Sequence, residues 1–293
     1  MRSYSVFQRW SSQEHKTWQF EIYKKYNKEL TDMLIAFKAS KKFTYKQLTV
    51  LGGTFPASAD DYFNFDDPTH VGNFKTIKDW SNTYNNLSKW IYLNALVAIT
   101  SNFELYLSSI IKLSLDSDPG LIVGDSQAID GMKLKKHNKN KINYDQYVIG
   151  CVKGTWDSRL KNLENLFNTK FEIISNNLSQ LEHMRSTRND IAHAFGRSLK
   201  ETENHEVLNP LALPNMTFEK LLNYQIILFK ITETIDSYLL KNHIGQYQIV
   251  LYYYLWLQKN KRSNNFRKEL GRFRNRATKK EYVKDLKEYY SNL

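Results

Sequence analysis

Residues 181–197, LEHMRSTRNDIAHAFGR, are the stretch on which the reading of this chain turns. No Gly or Pro interrupts residues 181–195, and the apolar residues recur at helical intervals, so the stretch is predicted to be a helix. At 100° per residue, Leu181, Met184, Ile191 and Phe195 fall within an arc of roughly 80°. Asn189 and His193, four apart, share another face with Arg185 beside them, and Arg188 borders the apolar arc. Ala192 and Gly196 make a thin strip where a second backbone can approach. An apolar back with a cationic and imidazole front is the only place in the chain where reactive side chains stand at a usable spacing.

Working outward, the chain reads as helical nearly throughout. Residues 12–41 place Trp18, Ile22, Tyr26, Leu30, Met33, Leu34 and Phe37 three or four apart. Residues 43–50, FTYKQLTV, alternate and precede Gly52-Gly53, which predicts a short strand. Residues 56–72 gather Asp, Asn, Pro and Gly and read as a surface loop. From 75 to 115 the pattern is helical, as two helices or one long bent one, stopped by Asp118-Pro119-Gly120. Residues 124–143 read as a polar loop carrying Lys133, Lys135, Lys136, Lys139 and Lys141, either a solvated insertion or a phosphate-gripping loop. Thr155 is placed to cap a helix through Phe167, and Ser175 or Asn176 to cap the helix of residues 181–195. Helices are expected over 217–241 and 247–258, separated at Gly245.

Composition agrees. Gly (11) and Pro (5) are scarce, as long helices require. A net charge of +12 and a pI near 9.4 call for a negatively charged partner, nucleic acid first and an anionic membrane surface second. Residues 259–293 hold twelve Lys/Arg against four Asp/Glu and so carry +8 of that charge. There Arg267, Lys268, Arg272, Arg274 and Arg276 alternate with Phe266 and Phe273, a mixture suited to phosphate contact and base stacking, or else a solvated basic helix that packs Phe266 and Phe273 on the protein. Such a tail is expected to add affinity rather than chemistry. The single cysteine, Cys151, lies in an apolar setting and reads as a buried thiol of a cytoplasmic protein. The most apolar run, residues 249–257, is about half a membrane span, so no membrane partner is expected. The other histidines are dispersed without metal-ligand spacing, no metal or cofactor is expected, and Gly52-Gly53 lacks the Lys-Ser/Thr of a phosphate loop.

Arg188-Asn-Asp-Ile-Ala-His193 is Arg, four residues, His, with a polar residue directly after the Arg. It resembles the signature of the HEPN superfamily, all-α proteins many of which are metal-independent endoribonucleases. Upstream, ALVAITSNFELYL (95–107) looks like an early HEPN helix with Glu104 in its acidic place, closest to the RiboL-PSP-like branch. The resemblance covers residues 74–242. It implies an all-α helical bundle of HEPN type (74–243), flanked by an N-terminal helical extension (1–73) and an aromatic helix with a basic helical C-terminal tail (244–293). It implies Arg188, His193 and Asn189 as catalytic residues; Arg185 and Arg197 beside them, and the tail cations read above from composition, are expected to contact RNA. With one motif per chain, a homodimer is implied. So are a setting in anti-phage defence or as a toxin, a cognate antitoxin or defence partner, and no cofactor. The other reading is a catalytically silent HEPN module that binds nucleic acid or a partner protein. Family members modified by antitoxins carry Tyr two residues after the His; here Phe195 stands there, which excludes that control.

Overall fold

The computed structural model describes residues 7–63, 68–70, 72–139, 142–194, 213–260, 265–274 and 277–293, and it is an all-α helical bundle. The helices are α1 (Trp18–Val50), α2 (Ile77–Ser117), α3 (Gly131–Lys136), α4 (Asp145–Val152), α5 (Trp156–Phe167) and α6 (Glu172–Ser175). After them come α7 (Leu178–Ala194), α8 (Phe218–Leu239), a π-helical turn (Leu240–Ile244), α9 (Tyr247–Asn260), α10 (Phe266–Phe273) and α11 (Lys280–Asn292). Two compact units share them: Met1–Glu21, Glu104–Leu178 and Phe229–Leu293 form the first, Ile22–Phe103 and Ser179–Leu228 the second.

The local signals explain most helix ends. Thr155 caps α5 by accepting from Ser158 N, and Thr76 with Asp79 forms a reciprocal capping box that starts α2. Thr76 lies in an isolated antiparallel bridge with Ser58. α2 runs unbroken for 41 residues and stops before Asp118-Pro119 as expected. By length and composition α2 alone among the described residues could cross a membrane, and half of its apolar window is buried inside the protein. The motif helix begins at Leu178, three residues before the expected span, and Ser175 and Asn176, the expected caps, end α6 instead of capping α7.

The strand expected at 43–50 is not formed; α1 continues through it to Val50. Its alternation is outweighed by contacts three and four residues apart. The Tyr45 ring lies tilted against Trp80, centroids 5.6 Å apart, its hydroxyl meets Ser81 Oγ at 2.8 Å, Lys41 Nζ donates to Ser88 Oγ, and Leu48 is buried. Gly52, at φ +78°, then closes α1. Gly53 N reaches Leu48 O and Gly52 N reaches Thr49 O, a Schellman end that places the glycine pair as a helix stop.

The second unit is built from α1, α2, α7 and the start of α8. Asn102 on α2 donates to Asn27 on α1, Gln225 on α8 meets Thr31 on α1, and Tyr92 packs on Phe218. Leu93, Leu96, Ile99, Leu181, Met184 and Leu221 fill its core.

The first unit is organised around buried polar groups. Thr17 caps α1 through Phe20 N and binds Asp236 of α8, which also accepts from Tyr106; burial raises the Asp236 carboxyl above the usual range. The Arg9 guanidinium, almost fully buried, donates to Ser117 O and Oγ at the end of α2, to Ile244 O of the π turn and to Asp130. Gly245 lies under this segment at φ +52°. A Cβ there would stand 2.4 Å from Arg9 O, and Gln246 N donates to that carbonyl at 2.8 Å.

The basic tail belongs to this core. Phe266, Leu270 and Leu286 are fully buried and Tyr282 nearly so, its hydroxyl donating to Gln246 Oε1. Phe273 packs on Trp18 and Tyr252 at 4.4 and 4.8 Å. The lysine loop also does structural work: it contains α3, and Lys136 Nζ donates to Tyr290 O and Ser291 O at the C-terminal end of α11, where the free carbonyls attract a cation. Lys141 lies outside the described residues.

Two outcomes are expected. Gly245→Ala lowers stability by roughly 1–3 kcal/mol, read as a fall in melting temperature, because a strained backbone and a carbonyl both oppose a Cβ. Deleting residues 259–293 prevents cooperative folding. Burying each of Phe266, Leu270, Tyr282 and Leu286 is worth about 1.5–3 kcal/mol, and their sum is comparable to the roughly 5–15 kcal/mol that holds a whole domain. A truncated chain with a sharp thermal transition would refute this.

Candidate functional site

α7 forms where the apolar spacing placed it, with Leu181 and Met184 buried and Ile191 half-buried. Phe195, Gly196, Arg197 and Arg276 lie outside the described residues, as does the side chain of His193, whose backbone is in the last turn of α7. Arg188 is half-buried and its Nη1 donates to Asn189 Oδ1 at 3.3 Å, so the two polar neighbours of the motif hold one another. Arg185 is engaged within the helix: its Nε donates to Glu182 Oε1 at 2.8 Å and Nη2 shares the same oxygen. That pairing raises the already high pKa of the guanidinium. A phosphate reaching Arg185 must compete with Glu182.

Among the tail cations, Arg267, Lys268 and Arg272 stand on the exposed side of α10, opposite the buried Phe266 and Leu270. Arg272 meets Glu269 only loosely, at 3.8 Å. Arg274 departs from its expected role. Its side chain is 3% exposed, pairs with Glu14 and lies over the Tyr282 ring at 5.3 Å, so it is a core cation and not a surface contact. Phe266, with no exposed surface, cannot stack on a base either.

Glu104 accepts from Arg159 Nη1 at 3.0 Å, joining α2 to α5 within the first unit. His183, absent from the sequence-based site, lies 3.1 Å from the Tyr224 hydroxyl and 3.3 Å from Thr187 Oγ1, tying α7 to α8. Burial pushes the Tyr224 phenol up, so it remains a hydroxyl at neutral pH. The i, i+4 spacing of His183 and Thr187 was visible in the sequence; Tyr224 was not.

A second cluster was also missed. Asp118, with no exposed surface, accepts from Gln127 N at 2.8 Å and Ser126 Oγ at 2.7 Å, and His243 Nδ1 lies 3.0 Å from it. The Phe167 and Tyr238 rings flank the imidazole, whose Nε2 is buried with no hydrogen-bond partner among the described residues. No sequence signal joins these residues, because they come together only when the π turn packs on the end of α2. Among the described residues no three His, Cys, Asp or Glu side chains are grouped to hold a metal ion.

The chain is therefore an all-α protein whose motif residues lie on one helix of a helical bundle. No family model matches it, and no curated protein or solved structure does so either.

Cys151 is buried, and desolvation pushes its thiol up to about 12. The native chain is accordingly expected to release no chromophore from a bulky disulfide reagent at pH 8 and one equivalent per chain once denatured. A fast native reaction would contradict the burial.

Proposed function

We propose that this chain is a metal-independent endoribonuclease of the HEPN type, acting as a homodimer on RNA in the cytoplasm, in anti-phage defence or as a toxin. The observation that carries the reading is the continuity of α7: Arg188, Asn189 and the backbone of His193 share one helix anchored by the buried Leu181 and Met184. In the proposed reaction the ribose 2′-oxygen attacks the adjacent phosphorus. An imidazole of His193 takes the 2′-proton, the P–O2′ bond forms and the P–O5′ bond breaks. A second acid protonates the departing 5′-oxygen, leaving a 2′,3′-cyclic phosphate and a 5′-hydroxyl. Imidazole titrates near 6.5 and serves either role at neutral pH. The Arg188 guanidinium stabilises the phosphorane through its planar fork, and Asn189 orients His193 or the ribose by hydrogen bonding. One His cannot conveniently fill both roles, so the second copy comes from a second chain across the thin strip beginning at Ala192.

The silent reading, an RNA-binding or partner-binding module without cleavage, draws support from the pairing of Arg185 with Glu182 and of Arg188 with Asn189, which occupies these groups within their own helix.

Incubating the purified chain with total RNA in EDTA separates the two. Cleavage with cyclic-phosphate ends is expected, and His193→Ala or Arg188→Ala should lower it by about 10²–10⁴-fold with an unchanged melting temperature. Undiminished cleavage by a folded His193→Ala chain would sink the assignment. Glu182→Ala frees Arg185, and RNA binding is expected to tighten with a salt slope steeper by up to about 0.7. An unchanged slope removes Arg185 from the RNA contact.

A further inference from the structure

Within the first unit, α4 and α5 pack against each other and against the 3₁₀ turn Pro119–Val123, and a cavity of about 430 Å³ opens between them. That is within the roughly 300–1,000 Å³ of sites that hold small ligands. α4 contributes Gln146 and Gly150 one turn apart, and Tyr147 and Cys151 likewise; α5 contributes Asn162 and Asn165. The remaining walls are aliphatic, from the turn and from Leu166.

Three properties restrict the occupant. First, a quarter of the chain is charged, yet none of the described residues lining this cavity is. An ionised ligand group would lose its hydration there without a counter-charge, so the part of the ligand held inside is neutral. The Cys151 thiol keeps to this rule, because burial raises it to about 12.

Second, the polar groups are carboxamides, each presenting a donor and an acceptor in one plane. Asn162 is already oriented: Gly150 O can only accept, so the Nδ2 of Asn162 donates to it at 2.7 Å and Oδ1 is left as an acceptor of set direction. A side chain at position 150 would disturb this arrangement, since a Cβ there would stand 3.1 Å from Asn162 Nδ2. Gln146 and Asn165 are exposed, with no hydrogen-bond partner for their carboxamides among the described residues. Third, Tyr147 and the aliphatic walls offer flat apolar sides between the polar groups, which suits a planar ring more than a ring of hydroxyls.

A neutral planar ring with adjacent donors and acceptors along its edge is a nucleobase, whose edges pair with carboxamide side chains. We propose that the cavity between α4, α5 and the 3₁₀ turn binds a nucleobase, with Gln146, Asn162 and Asn165 on its edge and Tyr147 on its face. The base comes either from a free nucleoside or from an unpaired position of a strand. The sugar and phosphate stay outside, because nothing in the lining neutralises a phosphate. The site stands on geometry remote in sequence from α7 and does not depend on RNA cleavage.

The test is calorimetric titration of the full chain with the four ribonucleosides and their 5′-monophosphates. At least one nucleoside should bind with a Kd of about 1 mM or tighter, and its monophosphate should bind no more tightly. Asn165→Leu and Gln146→Leu, at exposed positions where the fold tolerates them, should each weaken binding about tenfold, the scale of one lost hydrogen bond. Gly150→Ala should also weaken it while favouring helix α4. Displacement of the nucleoside by a short 2′-O-methyl oligonucleotide, which cannot be cleaved through its 2′-oxygen, assigns the base to a strand. Failure to displace it assigns a free nucleoside. The proposal is overturned if no nucleoside binds at about 10 mM, if the phosphate is required, if a neutral hexose binds equally well, or if both Leu variants bind like the parent. All these readouts are equilibrium binding, so an absence of ribonuclease activity leaves them interpretable.

Discussion

A single buried guanidinium organises the first unit. Arg9 reaches the end of α2 through Ser117, the π turn through Ile244 O and the start of α3 through Asp130. Helix ends expose carbonyls that need donors, and here one rigid fork supplies several at once. Its demands propagate. Gly245 must lack a side chain so that residues 9 and 10 can pass, Gln246 must bond Arg9 O, and Tyr282 and Tyr289 complete the polar network from α11. A buried charge is tolerable only when paired and fully bonded, and removing one partner of such a pair costs about 3–5 kcal/mol. The C-terminal helices are therefore part of the fold's polar skeleton.

That skeleton changes the meaning of the basic tail. A stretch of mixed Arg and Phe reads, when considered alone, either as a strand-binding surface or as a solvated helix packing its Phe side chains on the protein. In the folded chain Phe266 and Leu270 of α10 are buried while Phe273 stays half exposed against Trp18 and Tyr252, Arg267, Lys268 and Arg272 remain outward, and Arg274 is drawn inside by Glu14. The tail keeps an exposed cationic face and, of its two interleaved aromatics, loses Phe266 to the core. The exposed positive charge of α10 thus rests on Arg267, Lys268 and Arg272, whereas the cavity between α4 and α5 is lined by neutral side chains.

The motif helix shows how far a local pattern reaches. Leu181 and Met184 were placed in the core by periodicity alone, and Thr155 as the α5 cap by its chemistry. Arg185 illustrates the limit. Its spacing along the helix was legible, yet the side chain turns to Glu182, three residues back, a pairing that competes with any phosphate. The strand expected at 43–50 failed for a related reason. Alternation and helical spacing overlap in so short a run, and the choice fell to Trp80 and Ser81 of α2, which receive Tyr45 only from a helix.

By itself, then, the sequence determined what depends on neighbours a few residues apart: an all-α chain, most helix spans, the stop at Asp118-Pro119, and a cationic motif on one helix face. Backbone hydrogen bonding and side-chain periodicity act over that range and leave their mark in order. Tertiary structure alone decided which charges are available and which are buried in pairs. It joined Arg9 to the π turn, His243 to Asp118, Phe273 to Trp18, and Asn162 of α5 to the Gly150 carbonyl of α4. Each of these pairs residues whose separation along the chain carries no periodic signal, and each is held by the packing of elements that become neighbours only in the folded state.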